Sequence, residues 1–400
     1  MIPYDSFSFF LWLLIPVVPA IGLGLAEVSS KVRTVYLLLA TLGMLWLILH
    51  PVNLLVQAAV FFGWEYAIVY GYLRYRQSAR GHNKTAVFYT AVAASILPLF
   101  LVKLFSRPTA ALDALSQVPK AQVNHFTLGF LGVSYLTFRI VGTIIEIRDG
   151  LIKEIKLPGF ICFVLFFPTL ASGPIDRYRR FLADLRRPLT RHQYGQYLVE
   201  GVESVMRGLL YKFIIAYLVN QYALVPLGHK HGLAATLEYM YAYSAYLFFD
   251  FAGYSAFAVG VSRFFAIKTP ENFQAPFWAK NIKDFWNRWH ISLSTWFRDY
   301  IYMRFMLVSA KKKLFANRYA ASAVGYLLLF LLMGFWHGFA WRYVIYGLYM
   351  ALLMIAFEAL ERWNKQRHFW GEGLGWNLLA RLCTLNLVCF GLLIFSGRLG

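Results

Sequence analysis

The sequence predicts an all-α polytopic membrane protein with about 10–11 transmembrane helices, and three observations carry that prediction. Of 400 residues 59% are hydrophobic and only 14% charged, with 36 Phe, 26 Tyr and 12 Trp, a balance far from that of a water-soluble domain. Apolar runs recur along the chain at or near the roughly 20 residues that a helix needs to cross a bilayer. These runs are continuous rather than alternating, which excludes a barrel built from strands of roughly ten residues. The formal net charge of +20 would point to nucleic acid in a soluble protein. Here it fits basic cytoplasmic loops facing anionic lipid, and no nucleic-acid partner is expected.

Ten runs are expected as spans: 7–25, 35–49, 52–73, 86–105, 127–145, 197–227, 236–262, 319–337, 341–360 and 376–396. The first, FSFFLWLLIPVVPAIGLGLA, has no basic stretch ahead of it and further spans follow, so it is expected to be a span and not a cleaved signal peptide. SSKVR and RYRQSARGHNK carry positive charge and the HPVN turn between them carries none. The positive-inside rule then places the N-terminus outside and the loops 148–156, 175–191 and 263–318 in the cytoplasm.

Two of those inside loops flank LPGFICFVLFFPTLASGP, whose apolar part is short and bounded by Pro158, Pro168 and Pro174. A re-entrant segment accommodates both facts, and backbone of that kind is tolerated at membrane depth only against protein or a cavity, so a central chamber is expected. Further on, KNIKDFWNRWHISLSTWFRDYIYMRF spaces Trp286, His290, Leu293, Phe297 and Tyr300 at three- and four-residue intervals. That spacing predicts an amphipathic helix at the interface. No internal repeat and no soluble segment emerges, so 1–400 reads as one membrane domain, with N-terminal spans (1–126), a central motif region (127–350) and C-terminal spans (351–400).

Most of the nine histidines, among them His82, His192, His229, His231 and His368, fall in polar loops. His337 differs, because it stands in LLMGFWHGFAWRYVIYG between Gly334 and Gly338, where small residues permit close backbone approach. His290 differs too, lying on the aromatic stripe of its predicted helix. A buried histidine is as readily a hydrogen-bonded structural residue as a catalytic one. Asp250 and Arg139 lie within apolar runs, and an ion pair explains each as well as a substrate contact does. Arg186 and Arg187 close a basic loop that serves topology and could also dock an acidic cytoplasmic protein.

Cys162, Cys383 and Cys389 lack metal-ligand spacing and read as small core residues. Ser172 in SGP lacks the GxSxG setting of a nucleophile. No phosphate loop, dinucleotide fingerprint or metal motif is present, so neither a metal nor a tightly bound cofactor is expected.

WNRWHISLSTWFRDYIYMRF, followed by GFWHGFAWRYVIYGLY, resembles the membrane-bound O-acyltransferase family in motif, order and separation. The resemblance extends through GVSYLTFR, FFPTLASGPIDRY, FFDFAGYS and PENFQAPFWAKNIKDFW, covering about residues 130–350. RDYIYMRF and a length near 400 residues are most similar to the branch taking part in D-alanylation of teichoic acids, with the alginate O-acetyltransferase branch also similar.

The resemblance implies His337 as the catalytic general base and His290 as the second motif histidine. It implies a donor carried as a phosphopantetheine thioester on a D-alanyl carrier protein at the cytoplasmic face. Other membrane proteins of the Dlt system are the implied partners, and a teichoic acid outside the cell the implied acceptor. Trp286, Asn287, Trp336, Asp250 and Arg298 are expected along the substrate tunnel or in positioning roles, with Trp336 and Trp341 as walls, and Arg186 and Arg187 as the carrier-docking patch. Two other readings remain open at this point: an O-acetyltransferase of an exported polysaccharide, and a transporter or flippase of an activated acyl group or lipid carrier.

Overall fold

A computed structural model of the chain describes residues 3–50, 52–78, 83–105, 132–368, 370–371 and 373–399. His82 and residues 127–131 of an expected span lie outside the described residues. In chain order the helices are α1 (Phe7–Leu25), α2 (Ser30–Ile48), α3 (Val52–Gln77), α4 (Thr85–Phe105) and α5 (Val133–Arg148). Next come the short α6 (Leu157–Val164) and α7 (Tyr178–Arg186), then α8 (Arg191–Gly208) and α9 (Leu233–Phe264). Three short helices follow, α10 (Ile282–Trp286), α11 (Ile291–Phe297) and α12 (Met303–Lys312). The chain closes with α13 (Arg318–His337), α14 (Trp341–Arg367) and α15 (Leu374–Ser396).

Among the described residues, eight helices are long and apolar enough to cross a membrane: α1 to α4, α9, and α13 to α15. The all-α polytopic architecture expected from the sequence is therefore present. The expected span 127–145 is represented by the 16 residues of α5. The run 197–227 begins earlier, at Arg191, and passes through wider π-helical turns at Leu209–Ala216 and Asn220–Leu224.

The chain divides into two compact units, Met1–Glu203 with Ala258–Thr269, and Ser204–Phe257 with Pro270–Gly400. In the first, α6 has eight residues and rises about 12 Å, far short of a hydrocarbon core of roughly 30 Å. Its polar backbone ends are met by Arg139 of α5. The buried guanidinium donates to the carbonyls of Phe163 (3.2 Å), Val164 (3.0 Å) and Thr169 (2.8 Å), and to the Thr169 hydroxyl.

The Tyr4 hydroxyl donates to the Pro168 carbonyl at 3.2 Å, holding the same segment from the N-terminal side. Gly132 enters α5 with φ +98°, and a Cβ there would stand 2.2 Å from the Leu170 carbonyl oxygen, so only glycine fits. Arg139 thus organises the expected re-entrant segment, and Glu146, seven residues on, pairs with Arg179 at 3.4 Å.

In the second unit α13 and α14 form a close antiparallel hairpin. A Cβ on Gly334 would lie 2.5 Å from the Tyr343 carbonyl oxygen, and one on Gly347 would lie 2.4 Å from that of Phe330. Backbone meets backbone at both glycines, as small residues allow in membrane helix pairs. α15 packs along α14, with Phe395 against Tyr343 and Tyr346. Asp250 of α9 is ion-paired with Lys212 at 2.6 Å, which explains how an apolar helix carries a carboxylate. Cys162 and Cys389 are buried as expected, whereas Cys383 is exposed.

One expected element is replaced. The continuous amphipathic helix predicted for KNIKDFWNRWHISLSTWFRDYIYMRF is broken between α10 and α11, where His290 adopts φ +43° and ψ +52°. Its aromatic spacing was real, because Leu293, Phe297 and Tyr300 are all buried. Hydrogen bonds from a neighbouring loop override the helical period at residues 287–290.

Candidate active site

Both distinctive histidines belong to the second unit, and local sequence explains how each is placed. α10 starts at Asn281, whose side chain accepts the Asp284 N–H at 2.8 Å, while Asp284 accepts the Lys280 N–H at 3.0 Å. Asp284 also receives Arg288 at 2.7 Å, so one carboxylate ties the start of the helix to the turn after it.

Across that turn the Gln274 N–H donates to the Arg288 carbonyl at 3.0 Å, and the Ile291 N–H donates to the Asn272 carbonyl at 2.9 Å. Phe273 and Trp289 bridge between these two bonds. A left-handed backbone costs a side-chain-bearing residue on the order of 1–2 kcal/mol. Here the flanking bonds hold His290 in it, at the N-terminus of α11.

The His290 ring is 4% exposed and meets Phe251 edge-on, with centroids 4.8 Å apart. Burial, and secondarily the charge of His337, push its pKa down from 6.5 to about 3. At neutral pH His290 is therefore an uncharged imidazole, close enough to His337 for a charge on one to oppose a charge on the other.

His337 is the last residue of α13 rather than a mid-helix residue, and the helix ends as the Gly338 N–H bonds the Gly334 carbonyl at 3.2 Å. Its half-buried ring sits 4.5 Å from Trp336, 4.9 Å from Phe395 and 5.9 Å from Tyr343 between centroids. Trp336, expected as a wall, packs directly against the imidazole. Trp341, expected as the second wall, is 78% exposed at the start of α14, and the other rings against His337 are those of Phe395 and Tyr343.

Trp286, Asn287 and Arg298 come together along one cavity of about 440 Å³, whose lining also includes Ser294, Tyr326 and Met333. Met333 precedes His337 by four residues, one turn, on α13. The cavity therefore runs along the helix that ends in His337. Arg298 is held by Asp299 at 2.9 Å. Asp250 does not line this cavity and is engaged by Lys212.

Arg186 and Arg187 belong to the first unit, at the exposed end of α7. Arg186 borders a surface groove of about 270 Å³ together with Lys153, Tyr178 and Arg179. Arg187 lies 3.7 Å from Asp184, and its carbonyl accepts a bond from Arg33.

Three residues that the sequence reading passed over matter here. Asn272 binds the His290 turn, Phe395 packs on His337, and Lys212 neutralises Asp250. PENFQAPFW carried a signal for the first, as an asparagine inside an apolar loop. Phe395 had none, because one Phe in a Phe-rich span is indistinguishable from a lipid-facing one.

The sequence profile of the membrane-bound O-acyltransferase family matches residues 75–382. The chain is 47% identical over 402 residues to a teichoic acid D-alanyltransferase of Bacillus subtilis (strain 168), covering 100% of this chain and 98% of the relative. It is 41% identical over 414 residues to a teichoic acid D-alanyltransferase of Lacticaseibacillus rhamnosus, covering 99% and 97%. A probable alginate O-acetylase of Pseudomonas aeruginosa is 29% identical over 367 residues, covering 86% of this chain and 66% of the relative.

Proposed function

The chain belongs to the membrane-bound O-acyltransferase family, and on that premise we propose that this multi-pass membrane enzyme transfers D-alanine to hydroxyl groups of teichoic acid. The observation that carries the reading is similarity at 47% identity along the whole chain to a relative named for that activity. The donor in this reading is a phosphopantetheine thioester on a small carrier protein at the cytoplasmic face. The N-terminus and the acceptor polymer lie outside, and other Dlt-system membrane proteins assist.

His337 acts as the general base. A thioester is already activated, so the enzyme has to align a hydroxyl with its carbonyl and take the hydroxyl proton as the C–O bond forms. Collapse of the tetrahedral intermediate breaks the C–S bond, and the proton held by His337 passes to the departing thiolate. A neutral His290 suits this cycle, because a charged neighbour would oppose the imidazolium that forms on His337. The cavity bordered by Trp286, Asn287 and Arg298 takes the donor's arm, its polar groups meeting the arm's amides and its apolar side chains the methylenes.

The reading is tested in cells lacking this chain, by measuring D-alanine esters and O-acetyl groups on the envelope polymers. Restoration of D-alanine on teichoic acid by the returned chain supports it. Restoration of O-acetyl groups alone would replace it with the acetyltransferase reading.

A further inference from the structure

The turn that carries His290 is held by a residue with no place yet in the chemistry. Asn272 is fully buried, and its polar groups converge on that turn. Its carbonyl accepts the Ile291 N–H at 2.9 Å. Its Oδ1 accepts the Ser292 hydroxyl at 2.6 Å and the Ser292 N–H at 3.4 Å. Its Nδ2 donates to the Ser255 hydroxyl of α9 at 3.1 Å. One amide thereby joins α9, which carries Phe251 against the His290 ring, to the two residues that follow His290.

We propose that Asn272 is a positioning residue for catalysis, fixing the strained His290 turn so that the imidazole stays buried and packed on Phe251. The proposal rests on the assigned roles of the two histidines and adds the residue through which one of them is held. An amide is suited to the task, because it donates to one side and accepts from the other without placing a charge in a dry site.

Alanine at 272 removes both the Ser255 and the Ser292 side-chain contacts. The two backbone bonds across the turn remain, but without its side-chain ties to Ser255 and Ser292 the turn is held less tightly, and the ring spends more time away from Phe251 and exposed to water. Once hydrated, His290 titrates nearer its ordinary range, and its charge opposes that of His337, a titratable group whose charge reaches it. Phe251, Asn272 and Ser292, which pack around the turn, are neutral.

The test compares N272A, H290N and the double variant as full-length chains in reconstituted membranes, following acyl transfer between pH 5 and 8 and thermal stability in parallel. N272A is expected to lower kcat at least tenfold with KM within threefold, and to lose activity at a higher pH than wild type does. The double variant is expected to be no slower than H290N alone and to lack the added acid sensitivity. Multiplying losses in the double variant, or an unmoved kcat and pH profile in N272A, would overturn the proposal. N272S, which retains a hydroxyl, supports it by intermediate kcat and overturns it if fully active at every pH while N272A is lost from the membrane. Wild-type activity in H290N would instead remove the role of His290 itself, a distinguishable failure.

Discussion

Phe395 meets His337 edge-on, with ring centroids 4.9 Å apart and planes at 82°. The contact links a residue near the end of the chain, beyond the part matched by the family profile, to the histidine proposed as the general base. With Trp336 and Tyr343 it surrounds the imidazole with π systems. Such an enclosure favours the ring more when it is positively charged than when it is neutral. F395L is therefore expected to lower kcat by about 0.5–2 kcal/mol of transition-state stabilisation, roughly 2–30-fold, with KM little changed. F395W is expected to keep most of the activity, and equal rates for F395L and wild type would deny the contact a catalytic effect.

Arg139 is expected to be a stability residue. R139M leaves the buried carbonyls of Phe163, Val164 and Thr169 without their donor, a loss on the order of 3–5 kcal/mol. Thermal unfolding of the purified protein in detergent checks this. A variant as stable as wild type, yet slow, would return Arg139 to the list of substrate contacts.

His290 gives a pH dependence with a definite sign. Its folded pKa of about 3 lies below the ordinary 6.5, so between those values the unfolded chain binds a proton that the folded chain does not. Its contribution is fully present above about pH 6.5 and is lost as pH falls, by about 2 kcal/mol at pH 5. Wild type is expected to lose more stability than H290N between pH 7 and pH 5, as read by denaturant unfolding at both values. Equal losses would contradict the buried neutral state.

Arg186 and Arg187 are exposed, and Arg186 borders a groove with Lys153 and Arg179. If this basic face docks an acidic carrier, R186E/R187E is expected to weaken carrier binding at least tenfold, and the wild-type affinity should fall as salt rises. Unchanged binding in a pull-down would leave these arginines as determinants of topology.

The membrane class and most spans were legible because length and apolarity alone specify a crossing helix. The short proline-bounded segment at 157–174 was legible for the same reason in reverse, being too short to cross. His337 was singled out by its setting, although its place at the end of α13 was not. That end depends on Gly338 and the following hairpin, which periodicity does not reveal.

The break at His290 was hidden because aromatic residues at helical spacing satisfied the helix pattern on both sides of it. The bonds that override that pattern come from Asn272 and Gln274, 18 and 16 residues earlier. The intramembrane charge of Asp250 pointed to a need for a partner, but Lys212 is 38 residues away on another helix. Pairings of that kind belong to packing and leave no local trace.

The most direct test of the central claim is the turnover rate of H337A in proteoliposomes, with D-alanyl-loaded carrier as donor and teichoic acid as acceptor. Loss of a general base is expected to slow the chemical step by roughly 10²–10⁴-fold while carrier binding and protein stability remain at wild-type levels. A variant that binds carrier normally and turns over within threefold of wild type would contradict the assignment of His337 as the base.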